Sequence, residues 1–329
     1  MRHERYIFPV GQGGFACEGI SGFVVAYDCG SKSAYPMVES CVDHLCRSVD
    51  HIDLLFISHF DEDHVNGIKY LLDHVRISKA VVSFVPAELK VAFGVYTNGA
   101  YTAIMEMLKN NQVETVEIAG GENRSQQFDI KKIWEWVAKS MMSDRDFANV
   151  LAYMGHLGID RSKCENAEYL ESQKENINKA FKNVFGRLGP NGKGLIVLSQ
   201  PCVATQGCCI SVGMWNRIRF TQYEVQKEST CLYVGDADLK KNTAEVQSFL
   251  SKHRTEDPLL LMQIPHHGSS ANSSPHLDTE FPARYYFVND KDTKRIQKNG
   301  VLYKILTGRK QLLVARGLGQ DLIKTETMI

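Results

Sequence analysis

The amino-acid sequence predicts a layered α/β protein, and three observations support this fold class. Short apolar runs typical of strands alternate with helix-like segments over residues 5–86. A long amphipathic stretch at 98–188 shows almost no strand signals. Strand-like runs resume after the turn-rich segment "GPNGKG" at 189–194, again with a helix between them. Strands and helices that alternate in this way form sheets covered by helices.

Each predicted element of the first part of the chain is an apolar or amphipathic run bounded by polar or turn residues. Four strands are expected, with one helix after the second strand and another after the third. The predicted strands are 5–10, 22–28, 52–58 and 79–86, and the predicted helices are 35–47 and 64–75.

The stretch 98–188 is expected to be a helical insertion. Its segments "IKKIWEWVAKSMM" and "NAEYLESQKENINKAFKNVFGRL" carry apolar residues at helical spacing. Trp134 and Trp136 would face different sides of such a helix; core packing of both is the favoured interpretation, and exposure of one to a partner or a base is the alternative. Because long insertions are often functional, this one is expected to act as a lid or as a partner-docking region.

The chain beyond residue 194 returns to strands. A single helix is expected to separate the last two of them, which keeps the strand–helix alternation of an α/β protein. The predicted strands are 195–200, 208–213, 217–225, 229–236 and 258–265, and the predicted helix is 239–252.

Composition limits the classes of function. The 38 basic and 38 acidic residues cancel, so the chain lacks the electrostatic footprint of a dedicated nucleic-acid binder. None of the nine cysteines forms a C-x-x-C pair, and no apolar run is long enough for a signal peptide or for the ~18 residues of a membrane span. These features predict a cytoplasmic protein with reduced thiols and no membrane partner.

The most informative segment is "SHFDEDHVNG" at 58–67, which follows the apolar run "DLLFI". It places His59, Asp61, Glu62, Asp63 and His64 within six consecutive positions. Carboxylates so close together repel one another unless a cation lies among them. Neutral imidazole and carboxylate are zinc ligands, at about 2.0–2.2 Å. The alternative is a solvated loop whose Asp caps the next helix; the density of ligand types favours a metal site.

Two further apolar runs end in potential ligands. "CLYVGDADLK" places Asp236 at the end of a strand, and "LLLMQIPHHGSSANSS" places His266 and His267 at the end of another. Taken alone, Asp236 would be read as a turn or capping residue. Because ligands of α/β proteins bind at the carboxyl ends of strands, the three strand ends together predict one shared rim.

These motifs in this order, S-H-x-D-x-D-H-x-x-G, Gly-Asp and P-H-H-G-S, resemble the metallo-β-lactamase fold superfamily. The branch they resemble most is the hydrolase domain of bacterial competence DNA-uptake (ComEC-like) proteins. "VGQGGF" at 10–15 and "YDCG" at 27–30 resemble two further segments of that branch. The resemblance implies a four-layer αββα sandwich, a single domain over 1–329 with 98–188 as a helical insertion, and a dinuclear metal site on one edge.

By motif position, the resemblance implies that His59 and Asp61 serve a first metal ion and that Asp63 and His64 serve a second. Asp236 would bridge the two ions. Most of the superfamily has His where this chain has Asp61, and the window 196–215 lacks the usual third-motif His. An oxygen-rich, loosely held first site suits Mn²⁺ or Mg²⁺ as well as Zn²⁺.

The tandem histidines have separate implied roles. His267 would complete the second site, while His266 would face the substrate as a phosphate contact or general acid; which of the two is the ligand stays open. Two divalent ions can share a hydroxide of lowered pKa and stabilise an in-line displacement. In that mechanism the hydroxide is the nucleophile and Asp63 helps to orient it.

The function expected from the resemblance is a phosphodiesterase or nuclease acting on nucleic acid or a nucleotide. A basic stretch at 291–310 could follow a phosphate backbone, or be a solvated amphipathic helix. One alternative is an ester, lactone or amide hydrolase. Another is a partner-activated or non-catalytic module of a multi-protein system, such as bacterial defence, that docks through 98–188.

Overall fold

The computed structural model describes residues 1–33, 35–121, 124–187, 189–213, 220–222, 226–256, 258–290, 294–316 and 322–329. The strands are β1 (Arg2–Ile7), β2 (Gly13–Ile20), β3 (Phe23–Ser31), β4 (His51–Phe56), β5 (Arg76–Ser83), β6 (Glu114–Ile118), β7 (Gln126–Ile130), β8 (Trp134–Ser140), β9 (Leu195–Pro201), β10 (Gly207–Gly213), β11 (Phe220–Gln222), β12 (Cys231–Tyr233), β13 (Leu259–Gln263), β14 (Ala283–Asp290), β15 (Leu312–Arg316) and β16 (Leu322–Met328).

The α-helices connect these strands or cover them. They are α1 (Tyr35–Leu45), α2 (Glu62–Val65), α3 (Ile68–His74), α4 (Lys90–Tyr96), α5 (Ala100–Asn110), α6 (Asp144–His156), α7 (Ala167–Ser172), α8 (Lys174–Phe185), α9 (Leu239–His253), α10 (Leu277–Glu280), α11 (Lys294–Gln297) and α12 (Gly300–Gly308). The described helices include none that is long and apolar enough to cross a membrane.

The strands form two mixed sheets. The nine-stranded sheet has the order β11-β10-β16-β1-β2-β3-β4-β5-β6, and the seven-stranded sheet has the order β15-β14-β13-β12-β9-β8-β7. Strands β3 to β6 are parallel in the first sheet, as are β12 to β15 in the second. Parallel neighbours require crossover connections, which explains the helices between them.

Three apolar clusters define four layers. One cluster lies between the sheets and takes residues from both, including Leu54 of β4 and Leu261 of β13. A second joins the outer face of the nine-stranded sheet to α1 and α3–α8, and a third joins the outer face of the seven-stranded sheet to α9–α12. The predicted αββα sandwich is confirmed.

The helical interpretation of "IKKIWEWVAKSMM" is wrong, because its centre is strand β8. Trp134 and Trp136 therefore lie on the same face of the strand, and both are fully buried between the sheets. Val137 points to the opposite, outer cluster. In this short window the alternation of a strand and the spacing of a helix overlap, and sheet packing determined the outcome.

The expectation of a helical 98–188 stretch holds only in part. Strands β6, β7 and β8 belong to the two sheets, whereas α5, α6, α7 and α8 are helical as predicted. Residues 122, 123 and 188 lie outside the described residues. The helices α4, α5, α7 and α8 pack on one another beside the edge of the sandwich that carries the predicted metal ligands.

The other predicted elements fall close to their expected positions, whereas β2 and several strands near the C-terminal end are additions. The predicted helix 64–75 is divided into α2 and α3. Of the predicted strand 217–225, residues 220–222 form β11 and the others lie outside the described residues. The sequence did not predict β14, β15 or β16; β16 lies between β10 and β1 and completes the nine-stranded sheet.

Candidate metal centre

The candidate ligands follow three strands at one edge of the sandwich. His59, Asp63 and His64 come after β4 of the nine-stranded sheet. Asp236 follows β12, and His267 follows β13, both of the seven-stranded sheet. The site therefore draws its side chains from both sheets, as the shared-rim prediction requires.

These five side chains form two overlapping groups. One ligand atom each from His59, His64 and Asp236 lie within 4.8 Å of one another, as do ligand atoms from Asp63, His64 and His267. Nε2 of His64 is 3.4 Å from Oδ1 of Asp236, and Nε2 of His267 is 3.3 Å from Oδ2 of Asp63. Nε2 of His59 is 3.8 Å from Oδ2 of Asp236. Such spacings suit ligands of a common cation.

Four atoms at the centre of this arrangement are buried and have no hydrogen-bond partner among the described residues: Nε2 of His59, His64 and His267, and Oδ1 of Asp236. A buried polar atom left unsatisfied costs about 1–3 kcal/mol, so several in one place call for an explanation. Imidazole nitrogens and carboxylate oxygens are the donors that divalent metals bind. The residues present thus fit a divalent cation.

Hydrogen bonds on the far side of each ring fix its orientation. Nδ1 of each of the four histidines of the rim lies within hydrogen-bond distance of an oxygen, which directs Nε2 towards the centre. The pairs are His59 with Ser58 Oγ (2.9 Å), His64 with Asp28 Oδ2 (2.7 Å), His266 with Asn272 Oδ1 (3.0 Å) and His267 with the carbonyl of Asn289 (2.9 Å).

Asp28 connects several parts of this support. Its carboxylate accepts hydrogen bonds from the backbone N–H and the hydroxyl of Ser58, both at 2.7 Å, besides the one from His64. Its φ of +50° is a left-handed conformation, which Asp tolerates better than most residues. A side chain at Gly14 would lie 2.8 Å from Nδ1 of His64, so glycine is required there. The segments "YDCG" and "VGQGGF" thus have a physical role that sequence reasoning had left unassigned.

The charges of the rim are strongly coupled. Burial would raise the pKa of the Asp236 carboxyl, but the imidazoles of His64 and His59 hold that pKa well below its usual range. Burial opposes ionisation of Asp63 too, and His267 and His64 lower the pKa of that carboxyl. Burial would lower the pKa of His64, but Asp28 and Asp236 raise it well above the ordinary value. Both carboxylates are therefore ionised at neutral pH and need positive charge beside them.

The tandem histidines lie in a strained turn. His266, His267 and Gly268 have φ of +50°, +52° and +83°. A left-handed conformation costs a residue with a side chain about 1–2 kcal/mol, and strain of this kind is common at functional sites. The two rings are 83° apart in orientation, so they face different surroundings. Nε2 of His266 lies 3.8 Å from Oδ2 of Asp236, and its side chain remains 28% exposed.

The structure does not place Asp61 in either group of ligand atoms. Asp61 is at the N-cap position of α2, yet its side chain makes no capping hydrogen bond. It lines, together with Asp63, a cleft of about 870 Å³ that α4, α5 and α8 border on the other side. Five of the six predicted ligands are thus brought together, and Asp61 and His266 lie at the margin of the cluster.

No family model and no curated protein sequence matches the chain. Solved structures do match it, and their likeness is one of fold. They include the metallo-β-lactamase fold protein YhfI from Bacillus subtilis (8% identity, 98% of this chain and 100% of that one, TM-score 0.46), the short form of human tRNase Z (10%, 86% and 91%, 0.41) and a diphosphatase of the PhnP family (8%, 98% and 97%, 0.42).

Two further matches cover less of the other protein. The chain spans about half the length of the chemotaxis sensor ODP, described as a peroxy diiron species, and of a metallo-β-lactamase from Cronobacter sakazakii (48% and 50%). The two facing sheets with helices on both outer sides form the four-layer αββα arrangement that the motifs predict.

Proposed function

We propose that this chain is a metal-dependent hydrolase of phosphodiesters in nucleic acid or a nucleotide. The observation that carries the proposal is the convergence of four buried, unpartnered ligand atoms on one rim of the sandwich. The motif resemblance to the hydrolase domain of competence DNA-uptake proteins supports the choice of phosphodiesters. The nine free cysteines support a cytoplasmic location.

The ligand geometry favours one well-held ion and a weaker second one. His64 offers a single free Nε2, so it can serve only one ion, together with Asp63 and His267. Asp236 has two carboxylate oxygens directed towards different histidines and is the group able to bridge two ions. His59 would hold the other ion; the motif resemblance assigns Asp61 to that ion as well, although Asp61 lies outside both groups of ligand atoms. Zn²⁺, Mn²⁺ or Mg²⁺, when bound, supplies a water of lowered pKa and neutralises developing charge.

The roles proposed for the other residues follow from their exposure. His266 has its Nδ1 held by Asn272 and its Nε2 at the partly exposed side of the rim, where it can contact a phosphate oxygen or protonate a leaving group. Asp63 has one carboxylate oxygen near His267 and borders the cleft, so it can also orient the attacking water. The helices α5–α8 would form a lid over this cleft, within one domain spanning 1–329.

Metal loading and hydrolysis assays test the proposal together. The purified chain, saturated with Mn²⁺ or Zn²⁺, should cleave phosphodiesters in linear or cyclic oligonucleotides. The His64→Ala and Asp63→Ala variants should lose both metal and activity. His74→Ala is the matched control, because His74 lies on the surface of α3 away from the rim. Undiminished hydrolysis in His64→Ala would refute the proposal, and hydrolysis of esters alone would select the ester alternative.

A partner-activated module is the second candidate function, and the position of Asp61 favours it. With Asp61 outside the ligand groups, the first site has only His59 and a shared Asp236. A partner docking on the helices of 98–188 could complete such a site. Metal content per chain separates the two: two ions favour the enzyme acting alone, whereas one ion with no hydrolysis until a partner is added favours the module.

A further inference from the structure

The cleft beside the candidate metal centre has the size of a small-ligand site. Its volume of about 870 Å³ falls within the roughly 300–1,000 Å³ typical of such sites. Asp61, Glu62 and Asp63 line it, so a ligand in the cleft would lie beside Asp63 of the rim, and a bound cation would offset these carboxylates. The opposite wall consists of residues from α4, α5 and α8.

Two lysines are the cationic residues among the described residues that line this cleft: Lys32, directly after β3, and Lys182 on α8. Neither ammonium group has an ion-pair or hydrogen-bond partner in the described parts of the chain, and both side chains are exposed. Nearby Lys193, by contrast, binds the carboxylate of Asp146 at 2.9 Å. The two uncommitted charges are therefore available to an anion.

The remaining wall adds groups that suit a nucleotide. Gly99 and Ala100 at the amino end of α5 line the cleft, and the helix dipole there favours negative charge. Tyr96 is half-buried with its ring 4.8 Å from that of Phe181. Burial, with the charge of Asp61, raises the pKa of Tyr96 to about 12, so its hydroxyl remains a neutral hydrogen-bond donor. Asn178 also lines the cleft.

From this arrangement we propose that the cleft binds a nucleotide-sized phosphodiester, with Lys32 and Lys182 contacting its phosphate groups. The inference rests on the proposed function and names the substrate class of that same site. A protein that tracks a long strand neutralises many phosphates with a continuous row of cations. Here the cleft offers two, in a chain whose net charge is zero. A short or cyclic oligonucleotide has few phosphate groups, which corresponds to the two lysines of the cleft.

Binding of thymidine 5′-monophosphate to the Mn²⁺-loaded chain tests the lysines, because this probe contains no phosphodiester to hydrolyse. A hydrogen bond to a charged group contributes about 1.5 kcal/mol or more, so Lys32→Gln and Lys182→Gln should each weaken binding about tenfold in titration calorimetry. Lys179→Gln is the matched control, since Lys179 is an exposed residue of the same helix α8 that does not line the cleft. Wild-type affinity in both lysine variants would overturn the proposal.

The dependence of kcat/KM on substrate length provides a second test. The kcat/KM for the dinucleotide pTpT should exceed that for a long single-stranded DNA, and the lysine variants should lower it without changing bound metal. Faster cleavage of the long strand would overturn the proposal. If no phosphodiester is hydrolysed but the lysine variants still lose the mononucleotide, the proposed function fails and the cleft assignment stands. If phosphodiesters are hydrolysed and the lysine variants bind the mononucleotide as tightly as the wild type does, the cleft assignment fails and the proposed function stands.

Discussion

Glu18 and Asp236 are both buried carboxylates of this chain, but their surroundings are opposite. Glu18 lies on β2 between the sheets, and all its donors come from the protein. They are Nε2 of His3 (3.1 Å), Nε of Arg5 (2.6 Å), Nε1 of Trp136 (2.9 Å), Oγ of Ser199 (2.5 Å) and the hydroxyl of Tyr233 (2.8 Å). Asp236 has an oxygen with no partner, facing imidazole nitrogens that also have none.

The difference distinguishes a structural charge from a functional one. Burial would raise the pKa of Glu18, but Arg5 and His3 hold it below its usual range, so the carboxylate is satisfied as an anion by the fold itself. The rim cluster contains buried ligand atoms that no group of the described chain satisfies. A buried carboxylate whose oxygens are all satisfied by protein donors, as in Glu18, stabilises one arrangement of the chain, whereas several unsatisfied ligand atoms that converge on one point indicate a ligand.

The largest effect on stability is expected from removing the buried charge of Glu18. Glu18→Gln leaves the guanidinium of Arg5 buried without a counter-charge, which should lower the free energy of unfolding by about 3–5 kcal/mol in urea denaturation. Glu4→Gln on the neighbouring strand is the control. Glu4 pairs with Arg2 and Lys324 at the surface, so the change should be below about 1 kcal/mol. Equal losses of unfolding free energy in Glu18→Gln and Glu4→Gln would show that the buried Glu18 stabilises the fold no more than a surface ion pair does.

Adding metal should affect the rim and not the Glu18 cluster. At a free Mn²⁺ or Zn²⁺ concentration about a thousandfold above Kd, the free energy of unfolding should rise by about 4 kcal/mol. Asp236→Asn should abolish this gain while changing the stability of the metal-free chain far less than Glu18→Gln does. If added metal leaves the free energy of unfolding of the wild-type chain unchanged, the rim atoms do not bind a cation.

The support behind the ligands should have an intermediate effect. Asp28→Asn keeps a residue that tolerates a positive φ but removes the charge that holds His64. Loss of such a partner typically weakens metal affinity 10–100-fold, measurable by competition with a chelator. Asp53→Asn is the matched control: Asp53 also accepts a backbone N–H from a neighbouring strand, that of Val24 at 2.8 Å, but lies far from the rim. Equal affinity in both variants would contradict the role of Asp28.

The smallest effect is the dependence of stability on pH. The folded-state pKa of Glu18 is below the value of about 4.3 expected for the unfolded chain, so the unfolded chain takes up the proton first as the pH falls. The contribution of Glu18 is complete above that pH and should be lost below it by at most about 1.4 kcal/mol per pH unit. Comparing urea denaturation of the metal-free wild-type chain with that of Glu18→Gln isolates this slope, because the lowered pKa values of Asp236 and Asp63 contribute to both profiles. A free energy of unfolding that does not change with pH below pH 4 would contradict this prediction.

The candidate site could be predicted from the sequence because its signals are local. The ligands after β4 lie within one short motif, and the strand ends bearing Asp236 and His267 are marked by apolar runs. The supporting role of Asp28 was not predictable, because it depends on contacts with Ser58 and His64 that only the folded sheet creates. The position of Asp61 outside the ligand groups depends on backbone conformation at the start of α2, which residue types do not determine.

The fold was predictable in class and less so in detail. The αββα layers followed from the motifs. β8 was not predictable in the same way, because Ile130, Ile133, Trp134 and Val137 have helical spacing over this short window. Strands β14 and β16 were missed because their place in the sheets depends on pairing with distant segments. β16, for instance, pairs with β1 at the other end of the chain.

The rim takes its candidate ligands from both sheets, with His59 and His64 after β4 and Asp236 and His267 after β12 and β13. A cation bound there would link the two sheets of the sandwich in addition to its role in hydrolysis. Its removal would let the two sheets separate at that edge while the Glu18 cluster keeps them joined further in. Metal supply in the cell would then set the rigidity of the protein along with its reactivity, and hydrogen exchange at the ends of β4 and β13 would report both.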